Sequence, residues 1–108
     1  MDTSFVAKKK FGQHFLHDKS IINKIVAHSC LNENDKILEI GPGKGSLTKI
    51  LMKSKANIIA LEIDNDLING PLKIFDDYPN VQIIESDANN LSPEITNLLG
   101  NSYKLISN

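Results

Sequence analysis

A chain of 108 residues, 41% hydrophobic and 23% charged, forms at most one domain, and this composition excludes wholesale disorder. It has no apolar run long enough to span a membrane and no apolar stretch behind its N-terminal lysines, which excludes a secretory signal. The single cysteine, Cys30, excludes an intrachain disulfide, and we predict that it is a small buried residue at a helix end. We expect a soluble, cytoplasmic protein.

The net charge of −1 hides a basic N-terminus. Residues 1–24 contain five lysines and two aspartates, a local charge of +3, so the remainder carries −4. A basic arm ahead of an acidic body can contact phosphate backbones through counterion release, whereas three consecutive lysines alone are more typical of a solvated tail. We expect a flexible basic arm over residues 1–10.

Helices and strands are predicted to alternate behind the arm. A first helix begins at Asp18, a candidate N-cap, and ends near Cys30. The predicted strands are 36–40, 57–62, 81–85 and 103–107, and the predicted helices between them are 47–53, 64–70 and 91–99. This alternation implies an α/β fold with right-handed crossovers and a parallel sheet, in the partial strand order 3-2-1-4 of a doubly wound domain.

The fourth strand is predicted to be an apolar edge that later strands normally cover. Such an edge favours pairing with a second copy, so we expect self-association there. We interpret residues 11–108 as a partial domain truncated after strand 4, the N-terminal half of a Rossmann-like fold.

A glycine-rich loop follows the first strand, in the pattern Glu39-x-Gly41-x-Gly43-x-Gly45. Glycines let the backbone approach a ligand closely, and the helix that follows points its first amides at an anionic group. A dinucleotide site favours glycine at position 46, where this chain has Ser46. The pattern favours S-adenosylmethionine, with loop carbonyls holding its ammonium group while Glu39 orders the loop through the loop amides.

Two further carboxylates follow the next strands. Glu62, at the end of strand 2, is positioned to accept hydrogen bonds from both ribose hydroxyls, or else it is a solvated strand-end carboxylate. Asp87, after strand 3, is positioned to accept from the adenine amino group, or else it is a turn aspartate. Asp64 is better explained as a helix N-cap, so we leave it out of the site.

Several segments together resemble a known family. They are Phe11-Gly12-Gln13-His14-Phe15-Leu16, Glu39-Ile40-Gly41-Pro42-Gly43, Leu61-Glu62-Ile63-Asp64 and Ser86-Asp87-Ala88. The series is similar to the rRNA adenine N6-dimethyltransferases, most closely the bacterial KsgA/RsmA type that acts on small-subunit rRNA. The resemblance extends over the chain beyond the lysine arm. The Phe-Gly-Gln-x-Phe-Leu segment is its most specific element, and His14 departs from the asparagine common there.

The resemblance implies a fold, a cofactor and a set of site residues. The fold is the S-adenosylmethionine-dependent methyltransferase fold. His14 and Leu16 are expected to close over the cofactor, and Gly41 to contact its methionine end. The full set of implied cofactor contacts is Gln13, His14, Leu16, Gly41, Gly43, Glu62, Ile63, Asp87, Ala88 and Asn108.

The family's catalytic motif is Asn-Leu-Pro-Tyr, of which this chain reaches the first residue, Asn108. In that motif the asparagine and a backbone carbonyl accept hydrogen bonds from the target amine and aim its lone pair at the methyl group. The tyrosine stacks on the flipped adenine. The resemblance thus implies that Asn108 is catalytic and that small-subunit rRNA is the partner. We expect this chain to bind cofactor without methylating RNA at a normal rate.

Three alternatives remain open. A nicotinamide-dependent Rossmann enzyme is disfavoured by Ser46 and by the segment 11–16. A non-catalytic module that binds cofactor or RNA fits the truncation. A large-subunit rRNA methyltransferase that confers antibiotic resistance shares the glycine loop. The three histidines lack a metal-ligand spacing, so we predict no metal site.

Overall fold

The computed structural model describes Lys24 and residues 30–107, in which four strands alternate with helices. The strands are β1 Lys36–Ile40, β2 Asn57–Glu62, β3 Val81–Glu85 and β4 Lys104–Ser107. The helices are α1 Ser46–Met52, α2 Asn65–Ile68 and α3 Pro93–Leu99, and a 3-10 helix spans Pro71–Asp77. The predicted strands are confirmed, the last one residue shorter. The predicted arm at 1–10 lies outside the described residues, as does nearly all of the helix predicted before Cys30.

The four strands form one parallel sheet in the order β3-β2-β1-β4, which confirms the predicted half of a doubly wound sheet. β1 is central and pairs with β2 on one side and β4 on the other, so that Glu39 lies between Ala60 and Ile106. β4 pairs with β1 alone among the described strands and forms one edge of the sheet. Because the strands are parallel, they all end on the same side of the sheet, and the segments that follow them begin there. This side is called the carboxyl edge below, and the side on which the strands begin is called the amino edge.

Each face of the sheet carries its own apolar layer. Strand residues alternate between the faces, so Ile37 and Ile58 pack with α1 and the 3-10 helix, whereas Leu38 and Ile59 pack with α3. Five of the six residues of β2 are buried, which explains its nearly continuous apolar sequence. The sheet therefore lies between two apolar layers.

The helix predicted at 64–70 is shorter in the structure, and a separate 3-10 helix begins after it. Asp64 is its N-cap, as predicted, and accepts a hydrogen bond from the Asp66 amide at 2.9 Å. α2 ends at Ile68, and a 3-10 helix restarts at Pro71, because proline suits the first turn of a helix but not its interior. This restart places Phe75 in the core beside α1.

The prediction for Cys30 was wrong. Its side chain is exposed, and its backbone has a φ of 52° in a turn, so the residue faces solvent instead of the core. Within the part of the chain that the structure describes, no helix is long and apolar enough to cross a membrane.

Candidate cofactor-binding site

The loop of residues 41–45 joins β1 to α1 at the carboxyl edge. Its three glycines have φ values of 65°, 61° and 90°, in the left-handed region that favours glycine. A Cβ atom at Gly41 or Gly43 meets no heavy atom within 4 Å, so open space lies beside both residues. The Gly41 amide donates to the Leu61 carbonyl at 2.9 Å and fixes the loop against β2. The loop therefore offers exposed backbone to a ligand on a fixed support.

Glu62, the last residue of β2, holds the middle of this loop. Its side chain is 6% exposed, and its Oε1 accepts a hydrogen bond from the Gly43 amide at 3.2 Å. Its Oε2 accepts from the amides of Ile63 and Asp64, each at 3.0 Å. A carboxylate has about four lone-pair sites, so about one remains for a further donor. Glu62 thus joins the glycine loop to the segment that follows β2.

The prediction that Glu39 orders the loop through the loop amides was wrong. Among the described residues, it is Glu62 that accepts a hydrogen bond from a loop amide, that of Gly43. Oε1 of Glu39 accepts instead from the Thr48 hydroxyl of α1 at 2.5 Å. The alternation of β1 explains the difference. Glu39 shares a face with Ile37 and points into the layer between sheet and α1, beneath the loop instead of along it. Both Glu39 and Thr48 are 0% exposed.

Burial gives Glu39 unusual electrostatics. Burial raises the pKa of its carboxyl to about 7, although the Thr48 hydrogen bond lowers this pKa, and the nearby charge of Glu62 raises it. Its second oxygen, Oε2, is buried and has no hydrogen-bond partner among the described residues. The carboxyl edge therefore holds two buried acids of which one titrates near neutral pH.

The ends of β2 and β3 bring three further predicted residues to the same edge. Ile63 is 68% exposed although it is large and apolar, and it directly follows Glu62. Asp87 is exposed and its Oδ1 accepts from the Asn89 amide at 2.9 Å, the turn role considered above, which leaves its second oxygen outside that bond. Ala88 packs against the apolar layer on the α3 side.

The neighbouring strand ends are joined directly. The Ser86 amide donates to the Glu62 carbonyl at 3.0 Å. The Asn65 side chain donates to Glu85 Oε2 at 2.8 Å. These two contacts hold the segments after β2 and β3 beside each other. The exposed Ile63 and the carboxylates of Glu62 and Asp87 therefore lie along one continuous edge.

The structure therefore brings Gly41, Gly43, Glu62, Ile63, Asp87 and Ala88 to one edge. The remaining predicted site residues, Gln13, His14, Leu16 and Asn108, lie outside the described residues. Sequence reasoning missed Thr48. Its signal was a hydroxyl on the apolar face of α1, three residues before the buried Leu51.

The opposite edge contains a half-open cavity of about 220 Å³, lined in part by Lys36, Asn57 and Asn80. None of the predicted site residues lines it. In residues 30–107, no group of three or more histidine, cysteine, aspartate or glutamate side chains is arranged to hold a metal ion.

A parallel sheet in this order, with a glycine loop after β1 and an acid at the end of β2, defines the Rossmann-like fold of S-adenosylmethionine-dependent methyltransferases. Residues 4–108 match the model of one family, described as ribosomal RNA adenine dimethylase. The chain belongs to the ribosomal RNA adenine dimethylase family, as its sequence resemblance predicts.

Individual relatives agree with this assignment. The chain is 42% identical over 104 residues to ribosomal RNA small subunit methyltransferase A of Dehalococcoides mccartyi (strain CBDB1), covering 94% of this chain and 35% of that protein. A dimethyladenosine transferase structure from Plasmodium falciparum is 26% identical, with a TM-score of 0.65 over 84% of this chain and 32% of its own. The 23S rRNA methyltransferase ErmE is 28% identical, with a TM-score of 0.62 over 70% and 31%. The chain thus spans about a third of the length of the relatives that it matches.

Proposed function

We propose that this chain is the S-adenosylmethionine-binding part of an enzyme that dimethylates adenine in small-subunit rRNA. The observation that carries the proposal is the hydrogen bond from the Gly43 amide to the buried Glu62, because it joins the glycine loop to the strand-end acid in one preformed site. A ligand that meets a preformed loop loses less free energy to ordering it. Family membership supplies the reaction class.

The order of the strands matches the order of groups in the cofactor. We infer that adenine lies near Asp87 after β3 and against the exposed Ile63, and that the ribose lies near Glu62 after β2. The methionine end then extends along the loop at Gly41 after β1. Glu62 has about one lone-pair site free, so it accepts a full hydrogen bond from one ribose hydroxyl. A hydrogen bond from the second hydroxyl would have to use a carboxylate lone pair that already accepts from a backbone amide.

Methyl transfer itself is proposed for the whole protein. By family resemblance, Asn108, which comes directly after β4 in the sequence, accepts a hydrogen bond from the target amine, and Gln13, His14 and Leu16 close over the cofactor. When bound, S-adenosylmethionine supplies the electrophilic methyl group. The protein's task is to orient the adenine nitrogen and to exclude water from the reacting atoms.

Small-subunit rRNA is the proposed substrate because the relatives with 39–42% identity over most of this chain are named for the small subunit. The similarity to ErmE makes large-subunit rRNA the alternative. We propose action in the cytoplasm, on immature ribosomal subunits. Transfer of labelled methyl groups to small or to large subunits by the full-length protein separates the two substrates, and labelling confined to large subunits would contradict the first.

Cofactor binding is tested by calorimetric titration of S-adenosylmethionine into this chain. We expect saturable binding and no binding of NAD. Glu62→Ala, which removes the acceptor of three backbone amides, is expected to weaken binding by about 100-fold or more, about 3 kcal/mol. Asp64→Ala is the control, since it removes a helix cap at the same edge and leaves the loop contacts intact. Binding that Glu62→Ala leaves unchanged would refute the site.

A further inference from the structure

The hydrogen bond between Thr48 and Glu39 joins the two ends of the glycine loop. Glu39 lies on β1, two residues before Gly41, and Thr48 lies in the first turn of α1. The bond at 2.5 Å spans nine residues of sequence and closes the loop at its base, while Glu62 ties its middle at Gly43. Two acids from neighbouring strands thus fix one loop at two levels.

This arrangement is unfavourable for stability alone. A buried acceptor without a partner costs about 1–3 kcal/mol, and Glu39 Oε2 is such an acceptor among the described residues. An apolar residue of similar size at this buried position would avoid that cost. A buried acid directly beneath a ligand-binding loop is therefore better explained by a role in ligand binding than by a role in stability.

The charge on Glu39 is set by few neighbours. β2 presents Glu62, whose negative charge opposes ionisation of Glu39. β4 presents the apolar Ile106 beside it, and α1 presents the uncharged Thr48. Of the neighbours that act on the pKa of Glu39, Thr48 is the one that lowers it, so the threonine hydroxyl favours the carboxylate.

We propose that Thr48 is a positioning residue of the cofactor site: its hydroxyl holds the Glu39 carboxyl across the base of the glycine loop, beneath the place where a cationic cofactor lies. The proposal rests on the proposed function, since it requires S-adenosylmethionine, with its sulfonium and ammonium groups, to lie along the loop. Two buried acids beside one loop provide a negative potential that a cation relieves. The charge on Glu39 thereby favours the charged cofactor over neutral nucleosides.

The experiment compares Thr48→Val, which keeps the shape but loses the hydroxyl, with Thr48→Ser, which keeps the hydroxyl. Affinity for S-adenosylmethionine is measured by calorimetry from pH 6 to 9, with 5′-methylthioadenosine as a neutral probe. We expect Thr48→Val to weaken S-adenosylmethionine binding about tenfold near pH 7.5 and to move the midpoint of its pH dependence upward. Thr48→Ser is expected to behave as wild type, and both variants are expected to bind 5′-methylthioadenosine normally.

The outcomes separate positioning from simple structural support. Equal losses for both ligands with an unchanged pH midpoint, or no loss at all, would overturn the proposal. If Thr48→Val does not fold, Glu39→Gln decides, since it keeps an acceptor for Thr48 but no charge. Its binding of S-adenosylmethionine must then be weaker and keep only the pH dependence that comes from the ligand's own ammonium group. A retained wild-type pH dependence would overturn the proposal. A folded wild-type chain that binds no S-adenosylmethionine refutes the proposed function itself, and this inference with it.

Discussion

At the amino edge of the sheet, where the strands begin, charged and amide side chains pair within the fold, whereas the carboxyl edge includes a buried carboxylate oxygen that has no partner among the described residues. The Lys36 amine donates to the Leu98 carbonyl at 2.7 Å, and Lys104 pairs with Asp35 at 3.4 Å. The side-chain amide of Asn80 donates to the backbone carbonyls of Met52 and Ala56. These contacts join the elements that meet at the amino edge.

The carboxyl edge of the same sheet is built differently. It holds a loop with three glycines in the left-handed region, the buried Glu39 with an unpartnered oxygen, and the exposed apolar Ile63. The unpartnered buried oxygen costs stability, and it lies directly beneath the loop that follows β1. The difference indicates that one edge serves the fold and the other serves a ligand.

Gly45→Ala is expected to have the largest effect on the fold. An added Cβ would lie 2.6 Å from the Phe75 ring, at a φ of 90° that disfavours alanine. Overpacking and backbone strain together predict a loss of about 4 kcal/mol in the free energy of unfolding, measured with urea. Gly41→Ala is the control, because its Cβ meets nothing within 4 Å and it carries the backbone term alone, about 1–2 kcal/mol. Equal losses would show that the Phe75 contact is relieved by a small shift.

The second prediction concerns pH. The pKa of Glu39 is raised to about 7 in the folded chain from 4.5, so the folded state holds a proton that the unfolded state releases between these values. Stability is therefore expected to fall as pH rises from about 5 to 7, by on the order of 2–3 kcal/mol, and then to level off. Glu39→Gln should remove this part of the slope in urea unfolding from pH 4.5 to 8.5. An identical slope in the variant would mean that other groups cause it.

The smallest effect is expected at the amino edge. Asn80→Asp keeps the shape, but it replaces the donor to the Met52 and Ala56 carbonyls with an acceptor that repels them. It should cost about 2 kcal/mol of unfolding free energy. Affinity for S-adenosylmethionine should stay within about twofold of wild type, because the change lies at the opposite end of the strands. Asp35→Asn, which weakens a partly exposed ion pair, serves as a milder control at about 0.5 kcal/mol. A large loss of cofactor affinity in Asn80→Asp would break the division between the edges.

The strands and their order could be predicted from sequence because the signals are local and repeated. Apolar runs of strand length, glycine at turns and a cap such as Asp64 each act within a few residues, and alternation with helices then leaves few topologies. The 3-10 helix at Pro71–Asp77 was missed since it depends on Phe75 finding a place in the core beside α1. The prediction for Cys30 was wrong because cysteine is a residue type that is usually buried, whereas the turn that contains Cys30 faces solvent.

The sequence by itself determined the fold class, the family and the edge at which a cofactor site forms, because these follow from patterns that neighbouring residues carry. Only the tertiary structure decided which acid does what. Glu39 and Glu62 both lie near the ends of neighbouring strands, yet Glu39 bonds a helix hydroxyl and Glu62 bonds a loop amide. That assignment depends on which face of the sheet each side chain meets once β1, β2 and α1 have packed, and no short stretch of sequence contains it.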